Sequence, residues 1–291
     1  MIGLIGGTGL AEALLGEVDG VEHRIDTPFG ATSTPIRVVR WHGVELAVLA
    51  RHGVGHVFNP SQVPYRANIF ALKTLGVTHL IASGAVGSLR EEIKPRDLVI
   101  VDQVIDKTYR RTPTFFDAGL VAHVEFSQPY CNRLRALLLS VSPSVDTTVH
   151  DGGTYVCMEG PAFSTVAESH MHRAWGGSVI GMTSMPEAKL AREAEMCYAL
   201  IALPTDYDCW RPHKPGSSSE ALLAEIIGHL KHAGANAIAL MRAAIEKFAE
   251  HPPEPCACRR ALEPAIWSDR GEVDPAVVKR YGPLLQKYFE V

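Results

Sequence analysis

The chain has 291 residues and a formal net charge of -4, with apolar residues at 46% and charged residues at 21%, which suits an α/β protein with a sizeable core. The slightly acidic balance, with no basic run, argues against a nucleic-acid partner, and no stretch approaches the roughly 20 apolar residues that span a bilayer. The apolar start, residues 1–10, lacks a basic lead and runs into glycines, so it reads as strand and turn rather than signal peptide, and a cytoplasmic protein with no membrane contact is expected.

In chain order, residues 2–5 read as a strand, and Gly6-Gly7-Thr8-Gly9-Leu10 turns into a helix through Leu15. A glycine turn at a helix start exposes backbone N–H groups to an anion, and Thr8 adds a hydroxyl. The spacing does not match the dinucleotide fingerprint, whose third glycine would fall at Glu12. Residues 21–26 and 35–40 read as strands joined through Phe29-Gly30, and 44–50 as a core strand ending in Arg51-His52-Gly53. There Arg51 offers a planar fork suited to phosphate and His52 a further donor, the alternative being a solvated charge. A helix over 64–75 leads to a buried strand over 78–82, which ends in Ser83-Gly84-Ala85-Val86-Gly87-Ser88, small enough for a ligand to approach the backbone. Residues 98–101 form another strand, 102–116 a loop rich in Arg, Thr and Pro, 130–141 a helix, and 152–158 a strand running into Glu159-Gly160-Pro161-Ala162-Phe163-Ser164. A helix over 165–175, a strand over 178–180 and Gly181-Met182-Thr183 follow. Met182 suits an apolar wall and Thr183 a phosphate donor, against core filler and helix cap as the alternatives.

A helix over 186–194 then feeds the apolar run 196–203, a buried strand ending at Pro204. Beyond it lies Thr205-Asp206-Tyr207-Asp208-Cys209-Trp210. Two acids two residues apart share one side of an extended chain, and ligands of open α/β sheets bind beyond strand carboxyl ends; the alternative is that either Asp caps a turn. Residues 211–219 read as a flap-like loop, 220–248 as an amphipathic helix and 275–289 as a helix in the tail. Strands alternate with helices throughout, which predicts one α/β domain. Donor-bearing strand ends and an acid-bearing one suit a ligand with an anion at one end and a hydrogen-bond-donating heterocycle at the other.

Six cysteines stand at 131, 157, 197, 209, 256 and 258. Cys256-Ala257-Cys258, in a Pro-rich stretch, is half of a metal motif without an evident second half, so no metal is expected. A redox pair, or a tie back to Cys197 or Cys131, is the alternative to bystander thiols.

Taken together, Gly6–Leu10, Arg51-His52-Gly53, Gly87-Ser88-Leu89-Arg90-Glu91-Glu92-Ile93, Glu159-Gly160-Pro161 with Phe163, Met182-Thr183 and 205–210 resemble the 5′-methylthioadenosine phosphorylases of the trimeric purine nucleoside phosphorylase family. The resemblance runs from residue 1 to about 245 and leaves the tail outside, giving a phosphorylase domain at 1–248 and a partly helical extension at 249–291. It implies a central mixed, twisted β-sheet flanked by helices. It also implies attack of inorganic phosphate, a co-substrate rather than a cofactor, on C1′ of the nucleoside. Phosphate would be held by Thr8, Arg51, His52, Gly84, Ala85 and Thr183, while Asp206, as general acid, meets N7 and Asp208 accepts from the 6-amino group. Met182 would lie under the ribose, Phe163 near the base, and His123 would come from a neighbouring subunit of a homotrimer. Ser164 and Ser219 are the candidate specificity residues at the 5′ end. Three departures stand out from the family's pattern. Ser83-Gly84-Ala85-Val86-Gly87 replaces a Thr-Thr-Ala-Cys-Gly run, Ala162 stands where Arg is frequent, and Ser219 takes an apolar flap position. The competing readings are broader purine nucleoside specificity, a nucleosidase, and a non-catalytic nucleoside sensor.

Overall fold

In the computed structural model, which describes residues 1–7, 13, 19–212, 216 and 218–289, the chain is organised by two long strands lying side by side, β5 (His79–Ser88) and β11 (Cys197–Asp206). They run parallel from Cys197 opposite His79 to Asp206 opposite Gly87, with a register shift between Pro204 and Asp206. On its other side the first half of β5 pairs in parallel with β1 (Ile2–Gly6), which in turn pairs with β4 (Val44–Ala50). Antiparallel β3 (Ile36–Trp41) and β2 (Gly20–His23) finish that edge. The last residues of β5 bend away to pair antiparallel with β10 (Val179–Gly181), followed by β9 (Thr154–Met158) and β7 (Gln103–Lys107). A branch runs from β11 through β6 (Leu98–Ile100) to β8 (Val149–Asp151). The result is a single mixed sheet of eleven strands among the described residues.

Nine of the ten residues of β11 are buried, because a central parallel strand is covered on both faces. Each buried Leu or Ile there contributes about 1.5–3 kcal/mol relative to exposure. One face is covered by α1 (Tyr65–Thr74) and α4 (Ser184–Glu193), the other by α2 (Asn132–Ser140) and the long α5 (Ser219–Glu250). Helix α3 (Val166–Ala174) starts at a capping box in which Thr165 and Glu168 satisfy each other's backbone N–H groups. Helix α6 (Pro275–Leu285) starts at Asp274 with Pro at its first position and is broken at Gly282-Pro283. Leu262, Tyr281, Leu284 and Leu285 of the tail join the same apolar cluster as Ile5 and Leu200, so residues after 249 are packed into the core rather than appended to it.

Several boundaries differ from the sequence expectation. The small-residue run 83–88 is strand, not the loop after one, and Pro204 lies inside β11 instead of ending it. Continuous pairing with β11, joined by β10 at Gly87, outweighs the weak strand preference of Gly, and the missing Pro N–H falls next to the register shift. The loop expected over 102–116 contains β7.

Candidate active site

The donor end of the site forms where β1 and β4 finish beside the middle of β5. A Cβ at Gly7 would lie 3.3 Å from the Ser83 carbonyl, 3.5 Å from Gly84 Cα and 3.7 Å from Arg51 Nη1, and one at Gly84 would lie 3.3 Å from Thr183 Oγ1. Gly7, Arg51, Gly84 and Thr183 therefore surround one point, although 83 and 183 come from distant parts of the chain. Thr8 lies outside the described residues. Ala85 is exposed: it pairs with Leu203 of β11 on one side, but on the other it lies in the gap between the β1 partners, which stop at Ala82, and the β10 partners, which start at Gly87. Thr183 precedes α4, but its side chain makes no cap hydrogen bond, which leaves the hydroxyl for another partner.

Arg51 is fully buried, and the fork of Nε and Nη2 is engaged by Glu187. Nε and Nη2 donate to Glu187 at 2.7 and 2.8 Å, Nη1 donates to the Ser83 carbonyl at 2.8 Å, and Glu187 also accepts from the Tyr198 hydroxyl at 2.8 Å. Burial works against the guanidinium charge, but Glu187 outweighs it and raises the pKa further. Arg51 thus uses three of its five N–H groups to fix the floor of the site and keeps two. His52 is nearly buried, stacks on His56 at 4.2 Å, and its Nδ1 lies 2.8 Å from the Phe58 carbonyl. Burial first and Arg51 second push its pKa down to about 4, so the ring is neutral at pH 7. A carbonyl only accepts, so Nδ1 carries the proton and Nε2 offers a lone pair. That corrects the expectation of His52 as a simple donor.

The acid end forms where β11 leaves the sheet beside the bend of β5. Asp206 Oδ1 accepts from the Asp208 N–H and Oδ2 from Thr205 Oγ1, both at 2.7 Å, and Asp208 has a positive φ of 48°. The pair is therefore folded into a turn rather than extended, and Asp206 is both turn-former and candidate acid. Asp208 accepts from Ser169 Oγ of α3. Gly87 is required here, since a Cβ would lie 3.1 Å from Asp208 Cβ and 3.2 Å from Asp206 Oδ1. Trp210 Nε1 donates to the Ser88 carbonyl at 2.8 Å and its ring lies 3.5 Å under the Arg173 guanidinium, which clamps the loop to β5 and α3.

Between these ends, Met182 is half-buried against Gly160, where a φ of 66° suits glycine and a Cβ would lie 2.5 Å from Met182 Sδ. Arg111 donates to the carbonyls of Met182, Met185 and Glu159, each at 2.5 Å. Glu159 accepts from Ser61 Oγ and, at 2.8 Å, from the Tyr109 N–H. Burial opposes ionisation of Glu159, but these bonds and Arg111 outweigh it and lower its pKa. Sequence reasoning gave no role to Arg111, Glu159, Glu187 or Ser169, whose partners are remote in the chain.

Four expected residues sit apart from these contacts. Phe163 is 84% exposed. Ser164 approaches Met158 Sδ at 3.8 Å and accepts from Cys209 Sγ through its carbonyl. Ser219 is the exposed first residue of α5, with Ser218 as the cap, rather than part of the preceding loop. His123 lies on an exposed segment, with its N–H on the Ala265 carbonyl and its ring 4.9 Å from Trp267.

Residues 1–246 match the model of the phosphorylase superfamily. The S-methyl-5'-thioadenosine phosphorylase of Gloeobacter violaceus is 46% identical over 291 residues, covering 99% of this chain and 95% of that protein. That of Cereibacter sphaeroides is 48% identical over 280 residues, covering 96% and 95%. Among solved structures, a methylthioadenosine phosphorylase from an antarctic soil metagenomic library superposes with a TM-score of 0.90 at 42% identity, over 98% of each chain. A mutant adenosine/methylthioadenosine phosphorylase of Schistosoma mansoni in complex with methylthioadenosine superposes with a TM-score of 0.79 at 32% identity, over 91% of this chain and 98% of that one. The first two alignments take in the tail that the sequence resemblance had left outside.

Proposed function

The chain belongs to the phosphorylase superfamily, and within it to the S-methyl-5'-thioadenosine phosphorylases; from that premise we propose that it cleaves 5′-methylthioadenosine with inorganic phosphate to adenine and 5-methylthioribose 1-phosphate. The observation that carries this is the spacing on β5. Gly84 belongs to the donor end beside Thr183 and Gly87 to the acid end beside Asp206 and Asp208. Three residues of one strand, about 10 Å, separate an anion subsite from a base subsite, which is the span of a nucleoside with phosphate beneath its C1′.

In this reading a phosphate oxygen attacks C1′ as the C1′–N9 bond breaks, and the bonding pair passes into the purine. The rate comes from holding phosphate and C1′ in register, and from donors placed where charge collects. Thr8, Thr183, the Gly84-Ala85 backbone and the two remaining Arg51 N–H groups hold the anion. His52, with its lone pair outward, accepts from the protonated oxygen of the phosphate. Asp206 shares the proton that reaches N7 of the leaving adenine, and Asp208, held through one oxygen by Ser169, accepts from the 6-amino group. Asp208 as an acceptor repels the 6-oxo group of hypoxanthine, so adenine is the preferred base. Met182 packs under the ribose.

The same reading assigns a homotrimer working in the cytoplasm, with Phe163 stacking near the base and the partner subunit's His123 closing the 5′ end near Ser164. The exposure of His123 and Phe163 supports it, since a neighbouring subunit can reach both. The test is adenine release from 5′-methylthioadenosine with and without phosphate, beside adenosine and methylthioinosine. Release that requires phosphate and favours methylthioadenosine is expected; equal release without phosphate would make the chain a nucleosidase.

A further inference from the structure

At the opposite end of β11 from Asp206, four of the six cysteines converge. Cys131, Cys197, Cys256 and Cys258 place their sulfur atoms all within 4.8 Å of one another, and all four are thiols. Cys197 Sγ lies 3.1 Å and Cys131 Sγ 3.6 Å from Cys256 Sγ. Around a zinc ion with Zn–S bonds of about 2.3 Å, tetrahedral thiolates stand about 3.8 Å apart, so the cluster needs only small side-chain adjustments to close on a metal. We propose that these four cysteines form a structural Zn²⁺ site that fastens the C-terminal tail to the sheet.

The way the cluster is held supports this. Cys131 is the N-cap of α2, with its N–H on the Tyr198 carbonyl at 2.7 Å, and Cys197 opens β11, with its N–H on the Thr78 carbonyl at 3.0 Å. These two ligands are buried and rigid. Cys256 and Cys258 arrive from the other side of the chain, after α5 and the run Pro252-Pro253-Glu254-Pro255, and flank the start of a short 3-10 turn over 257–260 in which the Arg259 N–H donates to the Cys256 carbonyl. Two preformed ligands and two delivered by the tail make a closed four-coordinate site, the arrangement of structural rather than catalytic zinc. Thiolate softness selects zinc over magnesium or calcium. Four thiols lose four protons on binding and the complex carries two negative charges, for which the N-terminus of α2 and Arg259 supply positive potential. Nine residues of β11, about 30 Å, separate the cluster from the acids, so the ion has no place in the bond-breaking step.

The test is made on the whole protein, purified without added metal. Metal analysis by mass spectrometry is paired with a thiol titration of the denatured protein, without reductant and with excess EDTA to hold the released metal. About one zinc per chain and six titratable thiols are expected. The double variant Cys256→Ser/Cys258→Ser should hold less than about a tenth of that zinc, and X-ray absorption of the parent protein should show four sulfur neighbours at about 2.3 Å. Two thiols only, from Cys157 and Cys209, would show two disulfides and overturn the proposal; so would six thiols without zinc, or another metal in the site. The parent measurement decides the matter even if the variant does not fold, and none of these readouts depends on which nucleoside the protein cleaves.

Discussion

The two ends of β11 are built from the same strand and do different work. At its finish, Asp206 and Asp208 stand partly exposed in a turn held by Thr205, Ser169 and the Trp210 clamp. At its start, Cys197 is buried among three other thiols. The first end fixes two acids in a partly exposed turn at the edge of the sheet, while the second draws remote segments together. Substitution at the acid end should therefore change turnover with little change in stability, and at the thiol end the reverse.

The largest effect expected is that of Asp206→Asn, which removes the proton carrier and should lower kcat/KM for methylthioadenosine by about 10²–10⁴-fold with the melting temperature nearly unchanged. Steady-state kinetics beside thermal melts check both halves, and a variant that kept full activity would remove Asp206 from the account. Glu187→Gln blurs the division, because its buried pair with Arg51 holds the floor of the donor end. Leaving that guanidinium without a charged partner should cost about 3–5 kcal/mol in urea unfolding and raise the KM for phosphate.

Acid should weaken both ends at once. His52 at the donor end and His79, paired with Cys197 at the thiol end, are each pushed from 6.5 down to about 4, mainly by burial. Both stay neutral in the folded chain while the unfolded chain takes up the protons. Their contribution is therefore whole above pH 6.5 and lost as pH falls towards 4, on the order of 2 kcal/mol each after allowing for partial exposure. Unfolding free energies across that range should show the slope, and His79→Gln should flatten it without altering phosphate affinity. The smallest effect is that of Ser169→Ala, which takes one donor from Asp208. About a tenfold loss in the preference for adenine over hypoxanthine nucleosides is expected, read from the ratio of the two kcat/KM values.

Much of the frame was legible from the chain because its strands are short apolar runs between turn residues. The strands near 44–50, 98–101 and 178–180 came out within a residue or two. The misjudged stretches were those where pairing overrode local preference: the glycines of β5, Pro204 in β11, and β7, whose Gln103-Val104-Ile105-Asp106-Lys107 does not alternate and is half-buried throughout. The acid pair and the strand-end donors could be found because each is a local pattern. Their supports could not. Glu187 lies 136 residues from Arg51, Ser169 lies 39 from Asp208, and Arg111 lies 71 from Met182, distances over which spacing carries no signal. The same holds for the cysteines: Cys256-Ala257-Cys258 read as half a motif because its other half, Cys131 and Cys197, is assembled only by the fold.

If β5 joins an anion subsite to a purine subsite, phosphate ends on the sugar. The most direct measurement is ³¹P NMR of a reaction of 5′-methylthioadenosine with phosphate, with adenine quantified in the same sample. The account predicts a sugar 1-phosphate resonance that grows in step with adenine, one for one; adenine accompanied by free 5-methylthioribose and unchanged phosphate would contradict it.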